Sequence, residues 1–312
     1  MSHQHNALIV GAGGAGRNFL RSMKEAGLET PFFLINTNTL DDAGENASAL
    51  ILPKASSPEA SRKDAESHET EIVSVLEGKK LVFVLAGLGG NEGSGSAPYV
   101  ARLAHERGAV VIGLVTFPFA HEGLLRKLKA VRAVEEIKTY ADAVFVADNG
   151  RLLGLVEKNA KLSEMLGITT TVFLEIIKAT LELDVPTVKA IISSKGVNRE
   201  FASERPEDRL CQALASTLFM AELPDREQLE EELRKIREAS SEEEAQDNRP
   251  WHKVKPATAN STKNMSLRQA IEKTEADIAS PIPATVTVEP AQEDSKQKKE
   301  EPKKGFWARL FG

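Results

Sequence analysis

The chain has 312 residues, of which 41% are hydrophobic, and a formal net charge of −6. This length allows a large core in one or two domains, and the slight acidity gives no reason to expect nucleic-acid binding. The single cysteine, Cys211, excludes an internal disulfide framework. The N-terminus lacks the apolar core of a signal peptide, and no apolar run of about 18 residues could span a bilayer. We therefore expect a cytoplasmic protein that could still lie peripherally on a membrane.

Up to about residue 193, short apolar runs alternate with amphipathic stretches. Five runs are predicted strands, at 7–10, 32–35, 81–85, 110–115 and 143–146. Helical patterns, such as those at 71–76 and 124–137, lie between them. This alternation implies βαβ units, and therefore an α/β fold of three layers in which a mostly parallel sheet has helices on both faces.

The composition changes after about residue 198. Residues 206–220 and 224–239 predict two helices, of which the second is densely charged. Prolines, charge runs and few apolar residues predict a disordered linker at 240–302. The predicted organisation is a nucleotide-binding domain at 1–198, a helical extension at 199–239, the linker at 240–302 and an amphipathic terminal helix at 303–312.

A first glycine-rich loop, GAGGAGRN at 11–18, follows the first strand and opens a helix. Glycines allow an anion to approach the backbone closely, and the free N–H groups and helix dipole attract phosphate. The candidate ligands are Gly11, Ala12, Gly13, Gly14, Gly16 and Asn18. The pattern also matches a dinucleotide fingerprint, but that fold needs an acid at the end of the second strand. This chain has Asn36 there, which disfavours a dinucleotide oxidoreductase.

A second glycine-rich loop, AGLGGNEGSGSAP at 86–98, also follows a strand and leads into a helix. A dinucleotide fold does not need this second turn, whereas a mononucleotide pocket with two phosphate cradles does. The candidate ligands are Gly89, Gly90, Asn91, Glu92, Gly93, Ser94 and Gly95. This loop resembles the glycine-rich signature of the FtsZ/tubulin superfamily, and we expect both loops to converge on one polyphosphate.

The resemblance continues in the same order along the chain, over about residues 7–193. TFPFAHEGLLR at 116–126 is similar to a family segment near the ribose and phosphates, which implies contacts from Pro118, Glu122 and Arg126. DNGRLL at 148–153 is similar to the segment that hydrogen-bonds the guanine edge, which implies Asn149. Taken alone, Glu122, Arg126 and Asn149 would be interpreted as solvated loop residues. The resemblance implies GTP or GDP as the cofactor, with Mg²⁺ as an optional companion, and we expect no metal site built by the protein.

Several positions depart from the family pattern. Thr171 stands where the family has an Asp that contacts guanine, and a hydroxyl cannot accept from both guanine donors as a carboxylate does. Glu92 stands where the family has Thr. Its carboxylate would repel a terminal phosphate if directed at it, or hold a magnesium ion if directed at that, and both readings stay open. Segment 54–62 has no glycine, unlike the family loop that senses the γ-phosphate.

Hydrolysis in the family is completed by carboxylates from the next subunit. The best match here is ELDVPTV at 182–188, with Asp184 at the first acidic position, Glu182 as a second candidate and Thr187 in place of the second acid. Phosphoryl transfer depends mainly on positioning and electrostatics, so we expect slow GTP hydrolysis or none. The alternative role for Asp184 is an acid at a helix N-terminus. The family's second α/β domain has no counterpart here, which leaves the mode of self-assembly open.

The last ten residues, KKGFWARLFG at 303–312, form a separate motif. In a helix, Phe306, Trp307, Leu310 and Phe311 lie on one side with cations flanking them. This arrangement predicts an interfacial membrane anchor, strengthened when polymerisation presents many copies. The alternatives are a peptide that docks on a partner protein, in a nucleotide-free pseudo-GTPase scaffold, or a segment that folds back on the domain. Our leading hypothesis is a self-assembling, membrane-attached, guanine-nucleotide-binding cytoskeletal protein that acts in membrane remodelling or cell division.

Overall fold

The computed structural model describes residues 6–38, 46–152, 162–193, 206–207 and 222–247. The chain divides into two units, residues 1–239 and 240–312, and the description below concerns the first unit and the helix that ends at Asp247. The predicted terminal helix at 303–312, with its four apolar side chains, lies outside the described residues, as do residues 208–220 of the helix predicted at 206–220.

Six parallel strands form one sheet in the order β3-β2-β1-β4-β5-β6. The strands are β1 (Ala7–Ala12), β2 (Phe32–Asn36), β3 (Ala47–Ile51), β4 (Leu81–Gly87), β5 (Val110–Phe117) and β6 (Ala143–Asp148). All five predicted strands are present, and the predicted α/β fold with a parallel sheet is confirmed. Strand β3 was not predicted, because it is an edge strand whose residues are mostly exposed and whose sequence, ASALI, lacks a continuous apolar run.

The helices cover both faces of the sheet. They are α1 (Gly13–Glu25), α2 (Pro58–Ser67), α3 (Glu69–Leu76), α4 (Asn91–Glu106), α5 (Leu124–Tyr140), α6 (Asn149–Leu152), α7 (Leu162–Leu181), α8 (Val185–Ser193) and α9 (Arg226–Asp247). Alternate residues of β1 and β4, such as Val10 and Val84, share a buried cluster with α3, α4 and α5. On α1, Phe19 packs against Phe173 of α7, with ring centroids 5.3 Å apart. Because both faces are covered, the central strands are apolar throughout.

Helix α9 docks on α5. Leu229 is buried in the core cluster, and two ion pairs, Arg132–Glu230 at 3.0 Å and Arg226–Glu135 at 3.3 Å, connect the helices. Helix α9 runs through residue 240, where the linker is predicted to start, and ends at Asp247. None of the described helices combines the length and the apolarity needed to cross a membrane.

Candidate functional site

The two glycine-rich loops lie side by side at the carboxyl edge of the sheet. Strand β1 pairs in parallel with β4, so that Ala12 stands opposite Ala86, and a glycine-rich loop follows each strand. A Cβ atom built on Gly13 would lie 3.2 Å from the backbone nitrogen of Gly93. The loops are therefore in contact, although about 80 residues separate them in sequence. Ligands of open parallel sheets bind at this edge.

The structure places each loop candidate at the end of a strand or the start of a helix. Gly11 and Ala12 end β1, and Gly13, Gly14, Gly16 and Asn18 lie in the first turns of α1. Gly89 and Gly90 precede α4, and Asn91, Glu92, Gly93, Ser94 and Gly95 form its first turns.

The glycines of these loops serve two different purposes. A Cβ atom on Gly16 would lie 2.6 Å from the carbonyl carbon of Gly11, so this glycine lets α1 pack directly against β1. Gly13 has a φ of 71°, which L side chains rarely adopt. In contrast, a Cβ atom on Gly14 or Gly90 would meet nothing within 4 Å. Each loop therefore leaves backbone open to an approaching ligand.

Both helices that follow the loops have N-termini without a side-chain cap. The N-cap residues are Ala12 for α1 and Gly90 for α4, and neither accepts a hydrogen bond through its side chain. The first N–H groups of a helix have no partner within it, and its dipole places partial positive charge at that end. Two such ends at one sheet edge make a site suited to an anion such as a phosphate chain.

Glu92 brings a negative charge into this edge. Its side chain is half-buried, and its Oε2 atom lies 3.6 Å from the position of a Cβ atom on Gly13. No ion pair involves Glu92 in the described part of the chain. The carboxylate of one loop thus lies against the backbone of the other.

Segment 54–62 is fastened to α4. Asn91 Nδ2 donates to the Ala55 carbonyl at 2.9 Å, and Lys129 Nζ donates to Asn91 Oδ1 at 2.8 Å. The hydroxyl groups of Ser61 and Ser96 are 3.1 Å apart. The side chain of Asn91, a predicted ligand, is therefore engaged with the protein itself.

The predicted ribose segment borders the second loop. A Cβ atom on Gly89 would lie 3.0 Å from the Arg126 carbonyl oxygen and 3.3 Å from Cγ of Pro118. The predicted contacts Glu122 and Arg126 bind each other, with Arg126 Nη1 and Glu122 Oε2 2.5 Å apart. The other Glu122 oxygen accepts from the Phe119 N–H at 2.8 Å. Both oxygens of the Glu122 carboxylate already accept a hydrogen bond from the protein. A ligand that bound Glu122 would therefore share these oxygens with the protein donors.

Two buried amides have polar atoms without a protein partner. Asn149, which begins α6, is 6% exposed, and its Oδ1 accepts no hydrogen bond from the described residues. The Nδ2 of Asn36 at the end of β2 is 3% exposed and likewise unpaired within the described chain. Such atoms are costly unless a ligand or water satisfies them. Asn36 was not a predicted ligand, although a polar residue that ends an apolar strand is a signal for one.

Thr171 offers no replacement for a carboxylate. Its side chain is exposed, and Oγ1 donates to the Gly167 carbonyl at 2.9 Å within α7. The hydroxyl proton is therefore used in the helix.

Asp184 caps α8. Its Oδ1 accepts from the Thr187 N–H at 2.7 Å, which is the structural alternative that the sequence left open. Asp184 follows α7 and is exposed, as is Glu182. Ten residues of α7 at 1.5 Å each place Leu181 about 15 Å from Thr171 along the helix, and Asp184 lies three residues beyond that end.

Comparisons with known proteins agree with this fold. Residues 6–157 match the Tubulin/FtsZ family, GTPase domain. An FtsZ dimer of M. jannaschii is 28% identical, with 69% of each chain covered and a TM-score of 0.57. CetZ2 from Haloferax volcanii, solved as a GTPγS-bound protofilament, is 23% identical over 61% of this chain and 63% of its own, with a TM-score of 0.52, which is a likeness of fold alone.

The sheet and its paired loops define an α/β protein whose carboxyl edge is suited to an anion. The order of motifs, the matched GTPase domain and the similar folds agree. In its matched domain and its fold, the chain is similar to proteins of the FtsZ/tubulin superfamily.

Proposed function

We propose that this chain is a divergent FtsZ-like protein that binds guanine nucleotides, assembles with itself and attaches to a membrane, with weak or absent GTP hydrolysis. The observation that carries the proposal is the contact of the two glycine-rich loops. Gly14 and Gly90 leave backbone open, and the uncapped ends of α1 and α4 supply N–H donors to phosphate oxygens. A nucleotide would supply negatively charged phosphate oxygens that accept hydrogen bonds from these N–H donors.

Buried polar atoms support a nucleoside beside the phosphates. The unpaired Oδ1 of Asn149 is an acceptor that suits a donor on the guanine edge. The Glu122–Arg126 pair borders the second loop through Gly89 and would hold the ribose side. With Thr171 engaged in its own helix, Asn149 alone provides little discrimination against other bases.

The similar proteins support self-assembly, and the surroundings of Asp184 support slow hydrolysis. The similar proteins include an FtsZ dimer and a CetZ2 protofilament. Asp184 would complete hydrolysis only for a neighbouring copy, because α7 separates it from Thr171 on its own chain. Its capping bond to Thr187 restrains the carboxylate, and the second acid is absent. We therefore expect turnover well below that of an ordinary FtsZ.

Membrane attachment rests on residues 303–312. Their aromatic and aliphatic side chains with flanking cations are typical of a helix that lies in the lipid interface. A polymer of weakly bound copies would attach firmly through avidity. Together, these features support a cytoplasmic filament that shapes or divides a membrane from its inner face.

Calorimetric titration of the full chain with GDP, GTP and ATP tests the pocket. We expect guanine nucleotides to bind, and Gly14→Leu to abolish binding because its side chain fills the open cradle. The matched control is Arg21→Leu, two turns further along α1 on an exposed position. If no nucleotide binds the wild-type chain at millimolar concentration, the proposal gives way to a nucleotide-free scaffold.

The finer roles have separate tests. Sedimentation and electron microscopy with each nucleotide test assembly. Phosphate release tests hydrolysis, and we expect Asp184→Ala to abolish any GTPase activity that the wild type shows. Flotation with anionic vesicles, before and after removal of residues 303–312, tests the anchor. Equal flotation of the two chains would refute membrane attachment through that segment.

A further inference from the structure

The side chain of Glu92 places a negative charge in a site that suits anions. Its carboxylate extends from the first turn of α4 to the backbone at Gly13, where α1 begins. The first turn of α1 contains no acidic residue, and Glu92 is the acid in the first turn of α4. The partial positive charge of both helix ends therefore acts on this one carboxylate.

Two of the cations that border the second loop, Arg126 and Lys129, are already engaged. Arg126 pairs with Glu122, and Lys129 donates to Asn91. A ligand phosphate near Glu92 would thus meet a carboxylate that forms no ion pair within the described residues, with backbone donors as its main attraction.

The position of Glu92 along the loop indicates which phosphate it meets. Gly89 contacts the segment at 116–126 that borders the proposed ribose, and Glu92 lies three residues further on, against Gly13. A phosphate chain that starts at the ribose side and follows the second loop brings its last group closest to Glu92. Its first groups lie nearer to Gly89 and Gly90.

The backbone of Glu92 is held in place. Its carbonyl accepts from Ser61 Oγ at 3.5 Å, and the neighbouring Asn91 is tied to Ala55 and Lys129. Because α2, the segment before it and α5 hold this turn from outside, the carboxylate can leave the cradle only by rotation of its own side chain.

We propose that Glu92 is a specificity-determining residue that takes the place of a terminal phosphate, so that the pocket prefers a nucleoside diphosphate over a triphosphate. This inference rests on the proposed function and deepens it. A diphosphate retains the contacts to both loops and avoids the added charge. The neighbouring segment 54–62, fastened to α4, is not free to respond to a terminal phosphate.

The test measures Kd for GDP and GTP, each with Mg²⁺ and with EDTA, for the full chain and two variants. Glu92→Gln removes the charge and keeps the shape. Glu59→Gln is the control, because Glu59 lies in the first turn of the neighbouring helix α2 and undergoes the same change of charge. Far-UV circular dichroism verifies that both variants fold.

We expect the wild type to bind GDP at least about tenfold more tightly than GTP. The repulsion between two unit charges at short range corresponds to more than about tenfold in Kd, even after screening. Glu92→Gln should bring GTP to within about threefold of GDP by strengthening GTP binding. Glu59→Gln should keep the wild-type ratio. The same ratio in wild type and Glu92→Gln would overturn the inference while leaving the proposed function intact.

Two further outcomes separate the alternatives. If Glu92→Gln weakens GTP binding only when Mg²⁺ is present, the carboxylate holds the metal ion and the inference is wrong. If no nucleotide binds any of the three chains, the proposed function and this inference fail together. Binding of GTP by Glu92→Gln but not by the wild type would support the inference in its strongest form.

Discussion

Gly16→Ala tests whether the first loop is built on direct contact between α1 and β1. The new Cβ atom would lie 2.6 Å and 2.7 Å from the C and Cα atoms of Gly11. Ordinary contact begins at 3.4 Å, so helix and strand must separate by about 0.8 Å. The obstacle is backbone, and no side-chain rotation can relieve it.

The magnitude follows from two opposing terms. Overpacking in a buried site costs about 1–3 kcal/mol, and replacing glycine by alanine within a helix returns about 0.5–1 kcal/mol. We expect Gly16→Ala to lower the free energy of unfolding by about 1–2 kcal/mol, read by urea denaturation of the nucleotide-free chain. Gly14→Ala, where nothing lies within 4 Å, should leave stability unchanged or slightly higher and weaken nucleotide binding instead.

These two variants should therefore separate stability from binding. If Gly16→Ala were as stable as the wild type, the close packing of α1 on β1 would not constrain the loop. If Gly14→Ala bound nucleotide as well as the wild type did, the open backbone at this position would not be part of the site.

Three further predictions concern the core and the base site. Leu229→Ala should lower the free energy of unfolding by about 2–4 kcal/mol, because this side chain is part of the core. Ile236 is exposed, and Ile236→Ala should change the free energy of unfolding by less than about 0.5 kcal/mol. Similar urea midpoints for the two variants would contradict the docking of α9. Burial and the hydrogen bond to Glu69 raise the pKa of Tyr99 from 10.0 to about 12. The stability that this neutral phenol contributes is present below pH 10 and lost as the pH rises towards 12. Tyr99→Phe should flatten that fall in urea titrations, and an unchanged pH profile would refute the reasoning. Asn149→Ala should cost less than about 1 kcal/mol of stability, since its Oδ1 is unpaired, yet weaken GDP binding in calorimetry; unchanged affinity would remove it from the pocket.

The elements with strong local signals were predictable from sequence. The apolar runs that became β1, β4 and β5 are continuous because both faces of the sheet are covered, and glycine density marked both loops without any structure. Edge strand β3 gave no such signal, since an edge strand that is mostly exposed carries little apolar pattern. The continuation of α9 to Asp247 was missed because its charged sequence resembles that of a linker.

What the sequence by itself determined was the type of most elements and the presence of two glycine-rich turns, because periodicity and glycine content are local properties. Only the tertiary structure decided that Glu92 lies against Gly13, that Glu122 takes Arg126 as its partner, and that the amide oxygen of Asn149 has no partner among the described residues. These facts depend on the parallel register of β1 with β4 and on the packing of helices distant in sequence. Such contacts join residues whose spacing along the chain carries no local pattern.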